Sequence, residues 1–232
     1  MKFSIKKLTA TLFTIATVSG AALHERQNTE SQYPASTDIG TLNGTWYLTG
    51  LTSNVWDAYE SISRTLGISA NCIKLNLSSS SNSTLEAIGS AHLNRTNTGT
   101  GLEASAAGVF YLQPPSDGLA QGDLTWTAYV SQVFVNSAQW QNFVSNGQSN
   151  VADNGTSQAV PGSQPSQVTI NTHLIHNDTL FVWGSQANTT EIYGAIVSKT
   201  STVSQDTFNQ TLSSLPTEVN NTTLLLLKDS CT

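Results

Sequence analysis

The chain has 232 residues, a formal net charge of −6, and charged side chains at only 10% of its positions. An acidic surface disfavours nucleic acid and anionic membranes as partners. The length suits one domain or two small ones, and no repeat or linker divides the sequence.

Residues 1–21 are typical of a secretory signal peptide. Lys2, Lys6 and Lys7 precede an apolar run over residues 8–18, and small residues follow it. A membrane anchor is the alternative, but about eleven apolar residues fall short of the roughly twenty that span a bilayer. We therefore expect a secreted, extracellular protein with no integral membrane segment in the mature chain. Loss of three lysines with the signal makes its net charge about −9.

Cysteine count and sequons agree with export. Two cysteines in an exported chain, Cys72 and Cys231, predict one disulfide, with two buried free thiols as the alternative. We expect several N-x-S/T sequons to be glycosylated in a eukaryotic secretory pathway. These sequons begin at Asn43, Asn76, Asn82, Asn94, Asn154, Asn177, Asn188, Asn209, Asn220 and Asn221.

Polar residues without periodicity fill positions 22–41 and predict a flexible arm before a single domain over residues 42–232. Gly44–Leu51 is strand-like. The next segment, residues 54–67, changes to helical periodicity, with Asn54 as the expected N-cap and Gly67 as the end of the helix.

Segments that alternate apolar and polar residues follow this helix and predict half-buried strands. With the first strand, the candidates number eight, and a tight hairpin is expected at Asn177-Asp178. The candidate segments after the helix are Cys72–Leu77, Thr84–Leu93, Leu102–Leu112, Asp123–Val135, Val168–His176, Thr179–Gly184 and Glu191–Ser198.

Two further segments complete the chain. Residues 139–167 are rich in Asn, Gln, Ser and Gly and predict a long surface loop, with at most a short element around Trp140 and Phe143. Near the C-terminus, Ser204 is the expected cap of a helix that Pro216 ends. The apolar stripe of this helix is Phe208, Leu212 and Leu215, and a last extended piece follows at Thr223–Lys228.

Eight strands linked mostly as successive hairpins fit an all-β, antiparallel up-and-down barrel, with one helix in the first loop and one near the C-terminus. Such a barrel is wide enough inside for one small ligand. An aligned β-sandwich predicts nearly the same strand pattern, so the pattern alone leaves both folds open.

Asn43–Tyr47 (NGTWY) resembles the G-x-W-Y signature on the first strand of lipocalins, and Cys72–Ser78 (CIKLNLS) is similar to the second strand of apolipoprotein D and its relatives. Leu180–Val203 resembles the last hairpin and the start of the following helix in bacterial lipocalins. The resemblance covers Leu42–Gly89 and Phe181–Cys231, fades between them, and favours the barrel over the sandwich.

The resemblance also implies roles for single residues. Gly44 and Trp46 belong to the signature, and Trp46 would close the narrow end of the barrel. Lys199 stands where the family has an arginine packed on that tryptophan. Cys72 matches the cysteine of the family's second strand, whose usual partner lies at the very C-terminus, here Cys231.

Two departures from the family concern the pocket. Ala195 replaces the usual tryptophan of the last strand, and the loop at residues 139–167 is longer than in other lipocalins. The depth of the pocket and its ligand are therefore open at this point.

Aromatic residues on the predicted strands are the candidates for a cavity wall. Phe110, Trp126, Trp183 and Tyr193 are chosen for their bulk and strand position, and a solid core is the alternative. Phe110 lies on a face rich in small residues, and large aromatic side chains beside small ones are what a hollow barrel needs. The other residues of that face are Leu102, Ala104, Ala106 and Leu112, and on the next strand Leu124, Ala128 and Val130 share a face with Trp126.

The predicted helix at residues 54–66 lies in the first long connection, which in lipocalins folds over the open end of the barrel. We expect it to act as a lid, with Trp56 and Tyr59 facing the ligand. The alternative is a helix packed permanently on the outside of the barrel.

The sequence offers little catalytic chemistry. It lacks a G-x-S-x-G elbow, an H-E-x-x-H motif, a C-x-x-C pair and a P-loop. His173 and His176, three apart on a predicted strand, would point to opposite faces and so would not share a metal. Glu86 and Glu103 lie on candidate strands and keep a hydrolase or isomerase open. We expect no catalytic residue, metal or cofactor.

A secreted carrier of a small apolar molecule, such as a fatty acid, sterol or pigment, is the leading hypothesis. The alternatives are an isomerase or cyclase that uses the same cavity on a lipid-like substrate, and a glycoprotein that binds a protein partner through its long loop. The sequence leaves the oligomeric state open.

Overall fold

The computed structural model describes residues 38–96, 98–114, 122–144, 156–161, 163–185, 191–216, 219, 222–227 and 231. The predicted signal peptide lies outside these residues, as do the sequons at Asn154, Asn188, Asn220 and Asn221.

Within the described residues the chain forms a short 3-10 helix (Ile39–Leu42), three α-helices and eleven strands. The helices are α1 (Ser53–Leu66), α2 (Ser137–Val144) and α3 (Gln205–Ser213). The strands are β1 (Gly44–Thr52), β2 (Ile68–Ser81), β3 (Thr84–Arg95), β4 (Gly101–Leu112), β5 (Asp123–Val130), β6 (Phe134–Asn136), β7 (Ser157–Ala159), β8 (Ser166–Ile175), β9 (Thr179–Ser185), β10 (Ile192–Ser198) and β11 (Leu224–Leu226).

Eight of these strands close into an antiparallel barrel in the order β1-β2-β3-β4-β5-β8-β9-β10, with β10 paired back to β1. This confirms the predicted fold class. An open sandwich is excluded because both the β3–β4 and the β1–β10 pairs are present in one continuous sheet. Every predicted strand is found, although several boundaries differ.

The largest boundary difference is in the segment predicted as one strand over Asp123–Val135. The structure divides it, because Val130 is the last residue of β5 to pair with either of its neighbours, β4 and β8. At the break the N–H of Ser131 donates to the carbonyl of Ala107 at 2.8 Å. Beyond the break, β6 pairs with β4 at Ala104 and Ser105.

Helix α1 ends as predicted, but its N-cap lies two residues earlier than predicted. Thr52 is the N-cap, whereas Asn54 lies inside the first turn. The side-chain amide of Asn54 donates to the carbonyl of Ile192 on β10 at 2.9 Å, so it is drawn toward the barrel. Gly67 ends the helix at φ 62°, a left-handed conformation that glycine adopts without a Cβ clash.

The predicted surface loop at residues 139–167 contains a short element around Trp140 and Phe143, as the sequence suggested, since both residues are buried on α2. It also contains β7 and the start of β8, which the sequence did not predict. The predicted arm at residues 22–41 also ends earlier than expected, since Ile39 is buried in the core.

Helix α3 begins as predicted at Ser204, whose hydroxyl accepts the N–H of Thr207 at 3.1 Å. Its Phe208 packs on the outer face of the barrel beside β1 and β10. The approach is close, since a Cβ at Gly50 would come within 2.8 Å of the Phe208 ring. The outer face of this side of the barrel is therefore covered.

Strands β1 and β2 separate halfway along their length. They pair only from Gly44 to Tyr47 of β1, and the register of β2 shifts between Asn71 and Lys74. In the upper half β11 pairs with Gly50–Thr52 on this side of β1. The predicted disulfide between Cys72 and Cys231 is present at this place. The disulfide joins β2, near the place where it separates from β1, to the C-terminal segment that follows β11.

Removal of the disulfide by replacing Cys72 and Cys231 with serine should loosen the C-terminal segment first. The bond closes a loop with a sequence separation of 159, so its loss costs up to about 4–5 kcal/mol of stability in the chain-entropy model. Hydrogen exchange should show earlier loss of protection in β11 than in β3 and β4. Equally early loss in all three strands would contradict this order.

Candidate functional site

The barrel contains a cavity of about 230 Å³ that is partly open. Residues from the 3-10 helix, α1 and all eight barrel strands line it. They are Leu42, Trp46, Leu48, Leu51, Val55, Tyr59, Ile73, Lys74, Leu75, Leu77, Leu85, Gly89, Phe110, Trp126, Ala128, Val130, Val168, Ile170, Thr172, Leu180, Val182, Ala195 and Val197.

This wall is almost entirely hydrocarbon. Lys74 has an exposed side chain and pairs with Tyr47 and Ser90 on the neighbouring strands. The hydroxyl of Thr172 accepts the indole N–H of Trp126 at 2.9 Å, and both residues are buried. Since a buried polar group is costly only when it lacks a partner, this pair leaves the cavity apolar.

The end of the barrel where β1 begins is closed by the 3-10 helix. The indole N–H of Trp46, a fully buried residue, donates to the carbonyl of Leu42 at 2.7 Å. The ammonium of Lys199 lies 5.0 Å from the centre of the Trp46 ring and donates to the carbonyl of Thr41 at 3.1 Å. A cation–π contact and two hydrogen bonds thus hold the closure.

Helix α1 lies at the opposite end, where β1 finishes. Val55 and Tyr59 contribute to the cavity wall, and the hydroxyl of Tyr59 accepts the N–H of Ala70 on β2 at 2.9 Å. Trp56 does not line this cavity but stands beside Tyr59, with ring centres 5.4 Å apart. The helix therefore spans from the end of β1 to β2.

Helix α2 covers the upper part of the inner face formed by β3 and β4. Trp140 and Phe143 pack there against small and branched side chains, and the guanidinium of Arg95 lies 5.3 Å from the centre of the Phe143 ring. Ala104 and Ala106, which the sequence suggested as cavity lining, belong to this cluster. Their small size makes room for aromatic side chains of α2 rather than for a ligand.

The structure brings two of the four predicted wall aromatics to the cavity. Phe110 and Trp126 line it. Trp183 does not, because it faces outward on β9, stacked on Phe181 at 5.1 Å under α3. Tyr193 stands at the start of β10, beyond the lining residues, where its hydroxyl donates to Glu191.

A signal for the position of Trp183 was present in the sequence. Leu180 to Trp183 is a continuous apolar run, and such runs are typical of strands that are covered on both faces. The predicted amphipathic helix near the C-terminus required an apolar partner, which this outer face supplies. Bulk alone therefore does not distinguish an inward from an outward aromatic residue.

A second pocket of about 320 Å³ adjoins the first, on the side where β1 and β2 separate. It lies between β1, β2, α1 and β11, with the disulfide at its edge. Its lining residues are Leu48, Leu51, Trp56, Tyr59, Ala70, Asn71, Cys72, Ile73, Leu226 and Leu227. We refer to it as the side pocket.

Among the residues that the structure describes, no acidic or histidine side chain lines either pocket. Glu103 is on the outside of the barrel, 2.6 Å from a ring nitrogen of His92, and Glu86 is exposed. His173 contacts the buried carboxylate of Asp123 at 2.6 Å. No three potential metal ligands come together among the residues that the structure describes.

One detail of the histidine prediction was wrong. His176 is not on a strand, since β8 ends at Ile175 and His176 lies in the hairpin turn with φ 55°. The turn itself joins β8 to β9 across Asn177 and Asp178, as predicted.

Most sequons within the described residues are exposed. Asn94 differs, because it is half-buried and its side-chain oxygen lies 3.0 Å from a ring nitrogen of His92. The exposed sequon residues are Asn43, Asn76, Asn82, Asn177 and Asn209.

The closed eight-stranded antiparallel barrel fits a lipocalin-like, ligand-binding fold. Comparison of the sequence with models of known protein families, and with curated proteins, finds no match in either case. Across the described residues, no helix combines the length and apolarity needed to cross a membrane.

Replacing Trp126 with phenylalanine should destabilise the protein by about 1–3 kcal/mol, because the Thr172 hydroxyl loses its buried donor. Urea unfolding measures the loss. The double variant that also carries Thr172→Val removes both polar groups and should recover part of the stability. A double variant less stable than the single variant would show that the hydroxyl is not the cause.

Tyr193→Phe should raise the pKa of Glu191. In the native protein, hydrogen bonds from the Asn54 amide and the Tyr193 hydroxyl lower the pKa of this carboxyl. The variant keeps the Asn54 bond, so the pKa should stay below its ordinary value. The carboxyl resonance of Glu191 followed by NMR against pH measures it, with Tyr111→Phe as the control; an unchanged titration would contradict the assignment.

The signs of these shifts fix the pH range in which the network is stabilising. Ionised Glu191 stabilises the folded state above the ordinary carboxyl pKa, and this stabilisation is lost as the pH falls through the lowered pKa of the folded protein. The pKa of Tyr193 is raised, chiefly by its hydrogen bond to Glu191. That contribution is present below the ordinary phenol pKa and is lost as pH rises through the raised one.

Proposed function

We propose that this chain is a secreted, glycosylated member of the lipocalin family that carries a small apolar molecule in its barrel. The observation that carries the proposal is the hydrocarbon-lined cavity enclosed by the eight strands. Concave apolar pockets with few polar groups are the usual form of small-molecule sites.

The size of the cavity narrows the class of ligand. About 230 Å³ is below the roughly 300–1,000 Å³ of typical pockets for drug-sized ligands. A single alkyl chain or one small ring system suits this space better than a sterol or a large pigment. We therefore favour a slender, chain-like lipid within the broader group of apolar ligands.

Hydrophobic burial supplies the main favourable free energy for such binding. Removing about 300 Å² of apolar ligand surface from water at roughly 25 cal/mol per Å² gives about 7 kcal/mol before association costs. Micromolar affinity corresponds to about 8 kcal/mol, so burial of this area alone supports binding weaker than micromolar, and a longer chain or added polar contacts would tighten it.

Secretion and glycosylation have independent support. The disulfide suits an oxidising compartment. The five exposed sequon residues of the described chain are accessible to a glycosyltransferase, and the N-terminal sequence has the pattern of a signal peptide.

Filling the cavity should abolish ligand binding. Ala128 is fully buried and lines the cavity, so Ala128→Leu places three extra carbons in the space. The expected result is loss of fluorescence enhancement of an uncharged apolar probe, N-phenyl-1-naphthylamine, at micromolar protein. Ala107→Leu is the matched control, because Ala107 is exposed on the outside of β4.

Thermal unfolding of both variants distinguishes a blocked cavity from a damaged fold, since overpacking costs typically 1–3 kcal/mol. Ala195→Leu fills the same cavity from β10 and serves if Ala128→Leu does not fold. Native affinity in a folded variant of either kind would refute binding in the barrel.

A further inference from the structure

The side pocket and the barrel cavity share a partition. Leu48, Leu51, Tyr59 and Ile73 line both spaces, so a ligand that passes between these side chains occupies both. Only side chains separate the two spaces, because β1 and β2 are no longer paired beyond Tyr47 and Lys74. There β11 hydrogen-bonds to β1 in place of β2.

The two spaces differ in chemistry. The barrel cavity is lined by hydrocarbon except at the exposed Lys74, the hydrogen-bonded Thr172 and Tyr59, which it shares with the side pocket. Three side-chain hydrogen-bond donors belong to residues that line the side pocket. They are the indole N–H of Trp56, the hydroxyl of Tyr59 and the side-chain amide of Asn71. The Tyr59 oxygen accepts from the N–H of Ala70, which leaves its own hydrogen for another acceptor.

These donors are not used elsewhere in the described chain. Neither the Trp56 indole nor the Asn71 amide donates to a described residue, although Trp56 is only partly exposed. No charged side chain is among the described residues that line the side pocket. An ionised group would therefore lose hydration there without gaining a counter-charge.

We propose that the side pocket is the head-group site of an amphiphilic ligand whose alkyl chain lies in the barrel cavity. The head group is uncharged and accepts hydrogen bonds, as an alcohol, ester or amide does. This inference rests on the proposed function, since it requires the chain to occupy the barrel. The bound ligand would extend from the barrel cavity into the side pocket by passing between β1 and β2, next to α1.

Displacement of N-phenyl-1-naphthylamine by decan-1-ol, n-decane and decanoate tests the head-group site. The three compounds share a chain and differ in the head. Decan-1-ol should bind about fivefold or more tightly than n-decane, as one or two net hydrogen bonds provide. Decanoate, measured at pH 8 where it is ionised, should bind more weakly than decan-1-ol.

Variants of the side pocket assign the effect to its donors. Trp56→Phe keeps an aromatic ring but removes the N–H, and Asn71→Ala removes the amide. The double variant should lose about fivefold in affinity for decan-1-ol and leave n-decane unchanged. Tyr111→Phe and Asn82→Ala, both on the outside of the barrel, are the matched controls.

The outcomes separate the two proposals. If neither the probe nor n-decane binds the native protein, the proposed function fails. If both bind but decan-1-ol has no advantage, or the double variant weakens n-decane equally, the head-group site is refuted while barrel binding stands. Tighter binding of decanoate than of decan-1-ol would refute the uncharged head.

Discussion

The architecture depends on hydrogen bonding by a single strand, β1, to three partners. Its first half joins β2, its length from Tyr47 to Leu51 joins β10, and its last residues, Gly50–Thr52, join β11. One edge of β1 can hydrogen-bond to only one strand at each position. It pairs with β2 as far as Tyr47 and with β11 from Gly50, so β1 and β2 separate after Tyr47. The disulfide, the side pocket and the position of α1 all follow from that division, since each bridges or occupies the space that it creates.

Alternation of apolar and polar residues located the eight barrel strands, because one face of each is buried and the other is largely solvated. Helix α1 and the N-cap of α3 were equally readable from local signals. The sequence could not assign the two faces where both are covered. Trp183 was expected at the ligand, yet it lies outside the barrel under α3, and Ala104 lies on the inner face as expected but under α2. These assignments depend on distant segments, which local periodicity does not report.

Both ends of the barrel combine apolar packing with directional contacts. At one end Trp46 and Lys199 hold the 3-10 helix through hydrogen bonds to backbone carbonyls. At the other end α1 is tied to β10 and β2 by hydrogen bonds of Asn54 and Tyr59. Beside it, α2 is held by the packing of its aromatic side chains on the inner face of β3 and β4.

The hydrocarbon wall of the cavity also bears on molecular volume. Apolar cavities without convergent polar groups do not retain water well. A ligand-free barrel therefore encloses space that solvent reclaims when the chain unfolds, and the system contracts in that step. Since compression favours the smaller total volume, hydrostatic pressure acts selectively against the unliganded form. A bound alkyl chain fills the void, so the liganded protein should resist unfolding by pressure better than the ligand-free protein does.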